Sequence, residues 1–184
     1  IRRQRQMCIR DRCNIIAIAN QKGGVGKTTL TIHLAAGAVA AGKRVVVVDA
    51  DPQGNLTSWL LDGDLSDPGI FRLLVVGETL GKIIRPLKKW NMGLLPGNAR
   101  TGEAMIFLGA TARLGQIVTA LSPLRSVADY VLIDMPPSRA AGFDELLQTS
   151  DWVVIPTQLE RAALEGVLLM AQTCLLYTSP SPRD

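Results

Sequence analysis

The segment Gln21-Lys22-Gly23-Gly24-Val25-Gly26-Lys27-Thr28-Thr29 decides how this chain is expected to fold. It follows the short apolar run Ile15–Ala19 and precedes a stretch, up to Ala41, that we predict to be helical. A glycine-rich turn between a buried strand and a helix directs several backbone N–H groups, and the positive end of the helix, into one small concavity. The segment therefore predicts a binding site for a polyphosphate.

Two lysines and a hydroxyl add specific chemistry to this loop. Lys27 can reach the β and γ phosphates of a nucleotide, and the Thr28 hydroxyl can ligate Mg²⁺. The segment departs from the usual P-loop pattern G-x-x-x-x-G-K-[ST], because Gln21 stands where the first glycine is expected and Lys22 is an additional lysine. The predicted nucleotide-binding residues are Gly23, Gly24, Val25, Gly26, Lys27, Thr28 and Thr29.

Apolar runs and helical stretches alternate along the rest of the chain. Continuous apolar runs are typical of parallel strands that are buried on both faces. The pattern predicts strands at Asn14–Ala19, Val45–Val48, Asn91–Leu95, Tyr130–Ile133 and Trp152–Ile155, and helices at Thr28–Ala41, Asn55–Leu61, Ile70–Val76, Thr79–Ile84, Glu103–Leu121, Gly142–Thr149 and Arg161–Gln172. Within Glu103–Leu121, Gly109 and Gly115 are candidate positions for a break. We expect an α/β fold, doubly wound, with a mostly parallel sheet flanked by helices.

Acidic residues follow two of the predicted strands. Asp49 and Asp51 lie at the end of the second strand, and Asp134 begins the segment up to Ser138 that follows the fourth. Ligands of doubly wound sheets bind beyond the carboxyl ends of the strands, so we expect these carboxylates beside the glycine-rich loop. A buried, unpaired carboxylate is costly, so Asp134 should be paired or linked to a metal. For Asp49, capping of the following turn is a structural alternative.

Three segments in this order resemble the ParA/MinD group of P-loop ATPases. They are the loop with its additional lysine, Val48–Asn55 with its Asp-Pro-Gln-Gly-Asn, and Tyr130–Ser138, which is similar to a Walker B strand. Leu94–Gly97 and Ile155–Gln158 are weaker matches. The resemblance runs from about Asn14 to about Gln172, and the Asp-Pro-Gln-Gly-Asn segment favours ParA-type partition ATPases over MinD.

The resemblance implies a function and roles for individual residues. It implies a Mg²⁺-dependent ATPase that hydrolyses ATP slowly, with Lys22, Lys27 and Asp51 as catalytic residues and Thr28, Asp49 and Asp134 around the metal. Lys22 would reach the phosphates of the second subunit in an ATP-dependent homodimer. The implied partners are a ParB-like DNA-binding protein and non-specific DNA, the latter through a missing C-terminal region, in a bacterial cytoplasm and at the nucleoid. The alternative is a MinD-like or orphan ParA-type ATPase that positions another cargo.

Other classes of the same superfamily fit less well. An iron–sulfur reductase of the nitrogenase-reductase type needs cluster cysteines, and Cys13 is the one cysteine outside residues 1–12 and 174–184. A regulatory tyrosine kinase would carry a tyrosine-rich tail, whereas the tyrosines here are Tyr130 and Tyr177. No apolar run is long enough to span a bilayer. A MinD-type protein would carry a terminal amphipathic helix, but the suspected truncation of the chain hides the end where that helix would lie.

Both chain ends resemble translated sequencing adapter. The peptide Cys174–Ser179 can be encoded by a DNA string whose reverse complement, shifted by two bases, encodes the peptide Met7–Asp11. An adapter at both ends of a DNA fragment explains this relation, and such segments are left out of fold reasoning. We expect adapter-derived tails at 1–12 and 174–184, and an ATPase domain at 13–173 that is incomplete at its C-terminus.

Excluding the two tails changes the charge of the chain. The whole chain carries 20 lysines and arginines against 16 acidic residues, a formal charge of +4. Without the tails the body is neutral, so its charge gives no general argument for nucleic-acid binding. We interpret Lys88 and Lys89 with Arg85 as a solvated basic face. The tryptophans Trp59, Trp90 and Trp152 are scattered in sequence and predict anchoring or core contacts, not a base-stacking platform.

Overall fold

A single sheet forms the centre of the protein in the computed structural model, which describes residues 13–137, 141–158 and 161–178. Within these residues the sheet has six strands in the order β3-β4-β2-β5-β1-β6. All neighbouring strands are parallel except β3 and β4, which are antiparallel. The strands are β1 Asn14–Ile18, β2 Val45–Asp49, β3 Arg85–Leu87, β4 Met92–Leu95, β5 Tyr130–Asp134 and β6 Trp152–Val154.

Helices connect the strands and cover both faces of the sheet, which confirms the predicted doubly wound, mostly parallel α/β fold. They are α1 Lys27–Ala40, α2 Asn55–Leu60, α3 Gly69–Phe71, α4 Leu80–Ile83, α5 Ala99–Ala110, α6 Gln116–Leu121, α7 Leu124–Val127, α8 Phe143–Thr149 and α9 Arg161–Thr178. A π-helical turn at Arg72–Val76 continues α3.

The side chains of the central strands alternate between two hydrophobic cores. Val46 and Val48 of β2 belong to the core on the side of helices α5 to α8, and they share this core with Phe143 of α8. Val45 and Val47 belong to the opposite core, which α1 and α2 cover. All five β2 residues are buried, as a strand between two layers of helices requires.

Two parts of the predicted secondary structure need correction. Strand β3 was not predicted; it follows the short helix α4 and pairs with β4 at one edge of the sheet. The helix predicted at Glu103–Leu121 begins earlier, at Ala99, because the Asn98 side chain accepts a hydrogen bond from the Arg100 amide and caps the helix. The break expected near Gly109 or Gly115 is confirmed, because α5 ends at Ala110 and α6 begins at Gln116.

Some expectations concern residues outside the described part of the chain. These are the tail at 1–12, Ser138 at the end of the third motif, and 179–184. Helix α9 continues to Thr178, beyond the predicted end at Gln172. The domain boundaries at 12/13 and 173/174 stay predictions. Among the described helices, none combines the length and the apolar character that crossing a membrane requires.

Candidate nucleotide site

The glycine-rich loop connects β1 to α1 at the carboxyl edge of the sheet. Gly24 and Gly26 adopt left-handed backbone conformations, with φ of 73° and 88°, which glycine adopts without steric cost. A Cβ atom placed on Gly23, Gly24 or Gly26 would have no atom within 4 Å. The loop is therefore an open cradle above the start of α1, and Val25 is its buried anchor.

Lys27, the first residue of α1, turns its side chain into this cradle. Only 8% of the residue is exposed, and its ammonium lies 3.4 Å from the Lys22 carbonyl oxygen. Burial lowers the pKa of Lys27, while the nearby carboxylates of Asp134 and Asp51 act in the opposite direction. One partly desolvated cation thus lies close to two carboxylates, an arrangement that an incoming triphosphate and metal ion can complete.

Thr28 and Asp134 form the tightest polar contact of the site. The Thr28 hydroxyl donates to Asp134 Oδ2 over 2.6 Å. The other carboxylate oxygen, Oδ1, is buried and has no hydrogen-bond partner among the described residues. The Thr31 hydroxyl lies near this carboxyl but donates to the Lys27 carbonyl. Burial, opposed by the Thr28 hydrogen bond, raises the pKa of Asp134 to about 6.

Asp51 completes this group of charges. It is buried, and its Oδ1 accepts a hydrogen bond of 2.9 Å from the Gln53 amide, which holds the carboxylate in the turn after β2. The structure therefore brings together Lys27, Asp51 and Asp134, three residues that sequence analysis placed in one site.

Asp49 is engaged elsewhere. Its Oδ2 accepts hydrogen bonds of 2.7 Å from both the amide and the hydroxyl of Thr57 in α2. The same hydroxyl accepts a bond from the Gly97 amide, and a Cβ on Gly97 would collide with the Asp49 carbonyl oxygen. Burial raises the pKa of Asp49 to about 7, although the Thr57 bonds oppose the shift. These contacts correspond to the structural alternative considered for Asp49, because they fix the start of α2.

Sequence reasoning missed one residue that holds the loop in place. Asn20 is fully buried; its side-chain amide donates to the Pro156 carbonyl, and its Oδ1 accepts from the Lys22 amide. A Cβ on Gly166 of α9 would lie 3.0 Å from the same Oδ1. The signal was available, because an asparagine at the end of an apolar strand must find partners when it is buried.

The arrangement fits a magnesium ion held together with phosphates. Mg²⁺ prefers oxygen ligands, and at phosphate sites it uses only one or two protein groups beside the phosphates and water. The Thr28 hydroxyl and the unpartnered Asp134 oxygen provide such groups. Across the described residues there is no cluster of three or more His, Cys, Asp or Glu side chains that could hold a metal without a substrate.

Known proteins of similar sequence include proteins named for chromosome partitioning. A family model described as an AAA domain matches residues 13–179. The chain is 44% identical over 161 residues to the chromosome-partitioning ATPase Soj of Thermus thermophilus, covering 86% of this chain and 60% of that protein. It is 40% identical over 164 residues to the sporulation initiation inhibitor protein Soj of Bacillus subtilis, covering 88% and 65%. The chain thus spans less than two thirds of the length of these relatives.

Solved structures of similar fold include nucleotide complexes. Cobyrinic acid a,c-diamide synthase from Mycobacterium smegmatis, with a bound ATP analog and magnesium, is 32% identical with a TM-score of 0.79, covering 88% of this chain and 66% of that one. A plasmid partition protein from Borrelia burgdorferi is 25% identical with a TM-score of 0.78, covering 90% and 74%. The chain therefore belongs to the AAA-domain family, as a member of the ParA/MinD group of P-loop ATPases.

Proposed function

We propose that this chain binds Mg-ATP, hydrolyses it slowly, and uses the bound nucleotide to switch between monomer and homodimer during partition of a chromosome or plasmid. One observation carries the proposal. The Thr28–Asp134 contact leaves a buried carboxylate oxygen that has no hydrogen-bond partner among the described residues, beside a partly desolvated Lys27 and an open glycine cradle. A magnesium triphosphate would satisfy each of these groups.

Each residue has a defined part in this proposal. The amides of the loop and the Lys27 ammonium bind the phosphates, and Thr28 and Asp134 hold the magnesium ion, which neutralises charge on the phosphates. Asp51 orients the attacking water. Asp49 supports the metal site indirectly, because its contacts with Thr57 fix the turn that contains Asp51.

Lys22 is assigned to the second subunit of the dimer. Its backbone is fixed by Asn20 and its carbonyl lies beside Lys27, so the residue stands at the mouth of the cradle. A lysine that reaches the partner's phosphates would supply charge to the transition state in trans, as an arginine finger does. Hydrolysis and dimerisation then depend on one another.

The names of the relatives support a proposal for the cellular partners. Several relatives are named as chromosome-partitioning proteins, and a structural neighbour is a plasmid partition protein. We therefore include in the proposal a ParB-like DNA-binding partner, non-specific DNA contacted by a region that the longer relatives have beyond this chain, and a place in the cytoplasm at the nucleoid.

Calorimetry with Mg-ATP tests the binding site directly. We expect saturable binding of Mg-ATP by the protein, much weaker binding without magnesium, and loss of binding in Lys27→Ala. The exposed Lys43→Ala, which lies outside the loop, is the matched control and should bind normally. A well-folded protein that takes up no Mg-ATP would refute the proposed function.

The switch is tested with Lys22→Ala. This variant should still bind Mg-ATP, because Lys27 and the metal ligands remain, but it should neither dimerise nor turn over ATP. Light scattering after size exclusion gives the mass with and without nucleotide, and phosphate release gives the rate. A Lys22→Ala protein that hydrolyses ATP at the normal rate as a monomer would contradict the role in trans.

A further inference from the structure

Two tryptophans that are 31 positions apart in sequence line one surface pocket. Trp59 lies near the end of α2, and Trp90 lies in the turn between β3 and β4. The pocket has a volume of about 370 Å³, and its lining is completed by Leu60, Asp62, Pro86, Leu87, Lys88 and Lys89. We call it the two-tryptophan pocket. The two residues are far apart in sequence, but the β3–β4 hairpin brings Trp90 to the same pocket as Trp59.

Neither indole is required for the core of the protein. Trp59 is 61% exposed and Trp90 is 37% exposed, whereas the neighbouring Leu56 and Leu60 anchor α2 in the core. Large exposed aromatic side chains that share a concave surface are typical of protein interaction sites. The two-tryptophan pocket is therefore better explained by a partner than by the stability of this chain.

The turn that presents Trp90 is fixed by its backbone. The Trp90 amide donates to the Leu87 carbonyl over 3.0 Å, and Asn91 adopts a positive φ of 50° that closes the turn. The Lys89 ammonium lies 5.2 Å from the centre of the Trp90 ring. One face of this indole is thus already covered by a cation, so the ring can form a wall of the pocket but offers less surface for stacking a base.

The charges around the pocket are predominantly positive. The residues that line the pocket include two lysines, Lys88 and Lys89, and one carboxylate, Asp62. Arg85, which sequence analysis grouped with these lysines, is instead engaged by Asp67 through an ion pair of 2.8 Å. A second cavity beyond β3 shares Pro86, Leu87 and Lys88 and is also lined by Lys43 and Arg44. Asp129 pairs with Arg44, so it is Lys43 that extends the positive surface past the hairpin.

We propose that the two-tryptophan pocket binds an acidic peptide segment of a partner protein, with one apolar side chain held between the two indoles and its flanking carboxylates on Lys88 and Lys89. The apolar floor of Leu60, Pro86 and Leu87 suits a side chain. The positive rim requires a negative partner, by charge complementarity. The pocket is concave and Lys89 lies over one face of Trp90, which favours a peptide over a lipid surface or a nucleic acid.

The experiment selects peptides from a phage-displayed library of random 12-residue sequences on the immobilised protein without nucleotide, so its outcome does not depend on ATP binding. We expect enrichment of sequences with several Asp or Glu residues around one apolar or aromatic residue. Affinity of a selected synthetic peptide, measured by fluorescence anisotropy, should fall about tenfold or more in Trp59→Ala and in Lys88→Glu/Lys89→Glu, as it does for residues at the centre of an interface.

Matched controls separate this pocket from general surface effects. Trp152 is 64% exposed and lies on β6, at the opposite edge of the sheet, so Trp152→Ala should leave peptide affinity unchanged. Arg113→Glu controls for the charge reversal. Circular dichroism confirms that each variant folds. Selection of basic or neutral peptides, no enrichment over the Lys88→Glu/Lys89→Glu protein, or equal affinity in Trp59→Ala would overturn the proposal. The proposal would also be overturned if the selection yielded no peptide while the protein bound a twelve-nucleotide oligothymidine or anionic vesicles.

Discussion

Replacement of Asp134 by asparagine should change the stability of the protein in a way that depends on pH. The wild-type carboxyl has a pKa of about 6, above the value of 3.8 that the same group has when it is solvated. The folded protein therefore holds this proton more tightly than the unfolded chain, and the stabilisation it provides is lost as pH rises from about 4 through 6. Asparagine does not titrate, so the stability of the variant does not fall for this reason as pH rises.

The size of the effect follows from the shift. A difference of about two pKa units corresponds to about 3 kcal/mol over the whole titration. About 1.4 kcal/mol of this falls between pH 5, where about nine tenths of the folded protein carries the proton, and pH 8, where almost none does. The Asp134→Asn protein should therefore gain about 1.4 kcal/mol relative to wild type between these two pH values. Any constant cost of burying the amide cancels in this comparison.

Urea denaturation at pH 5 and pH 8 measures the difference in the absence of nucleotide. Repeating the pH 8 measurement with Mg-ATP tests whether Asp134 contributes to binding of the nucleotide and its metal. A ligand at a hundred times its Kd stabilises the folded state by about 2.7 kcal/mol. Wild type should gain this amount, and Asp134→Asn should gain little, because it has lost a ligand oxygen of the metal.

Asp129→Asn is the control, because the hydrogen bond from Arg44 lowers the pKa of Asp129 to about 2, outside the range tested. Its stability relative to wild type should be the same at both pH values. The reasoning is refuted if Asp134→Asn shows the same relative stability at pH 5 and pH 8. Equal stabilisation of wild type and Asp134→Asn by Mg-ATP would refute the assignment of Asp134 to the metal.

Three further substitutions test the contacts that hold the site. Thr57→Val removes the hydroxyl that joins Asp49 to Gly97, and we expect the free energy of unfolding in urea to fall by about 2–4 kcal/mol, since a buried carboxylate and a buried amide lose a partner. Gly97→Ala should cost about 1–3 kcal/mol in the same assay, because its methyl group has no room beside Asp49. Asn20→Ala should cost about 1–3 kcal/mol, and hydrogen exchange at the Lys22 amide should become faster.

Two substitutions at exposed positions provide the comparison for these variants. The Thr111 hydroxyl bonds only within its own helical turn, to Phe107 and Leu108, so Thr111→Val should change stability by less than about 0.5 kcal/mol. A Cβ on Gly115 meets no atom within 4 Å, so Gly115→Ala should be tolerated. If the site variants lose no more stability than these two, their contacts do not have the energetic weight assigned to them.

The central sheet could be predicted because its strands are signalled locally. Val45–Val48 and Tyr130–Ile133 are apolar runs that are each followed by an aspartate, and the glycine-rich loop marks the end of β1. Strand β3 carries no such signal. It consists of three residues with Pro86 in the middle, and proline is tolerated there only because β3 lies at the edge of the sheet.

Sequence reasoning placed Lys27, Thr28 and Asp134 at the same edge of the sheet, but it did not predict the hydrogen-bond partners within the site. The three residues come together because β1 and β5 are adjacent in the sheet. The partners of Asp49 depend on α2 folding back so that Thr57 reaches the carboxylate eight residues earlier. The pairing of Trp59 with Trp90 depends on the hairpin that the sequence did not reveal.

The position of the three site-bearing strands within the sheet has a consequence for how this protein can change. Within the described residues, β1, β2 and β5 each have a hydrogen-bonded neighbour on both sides, while β3 and β6 lie at the edges of the sheet. Fraying or remodelling of a border strand leaves the backbone under the phosphates paired. New recognition features can thus evolve on the edge strands without disturbing the nucleotide site on the central strands.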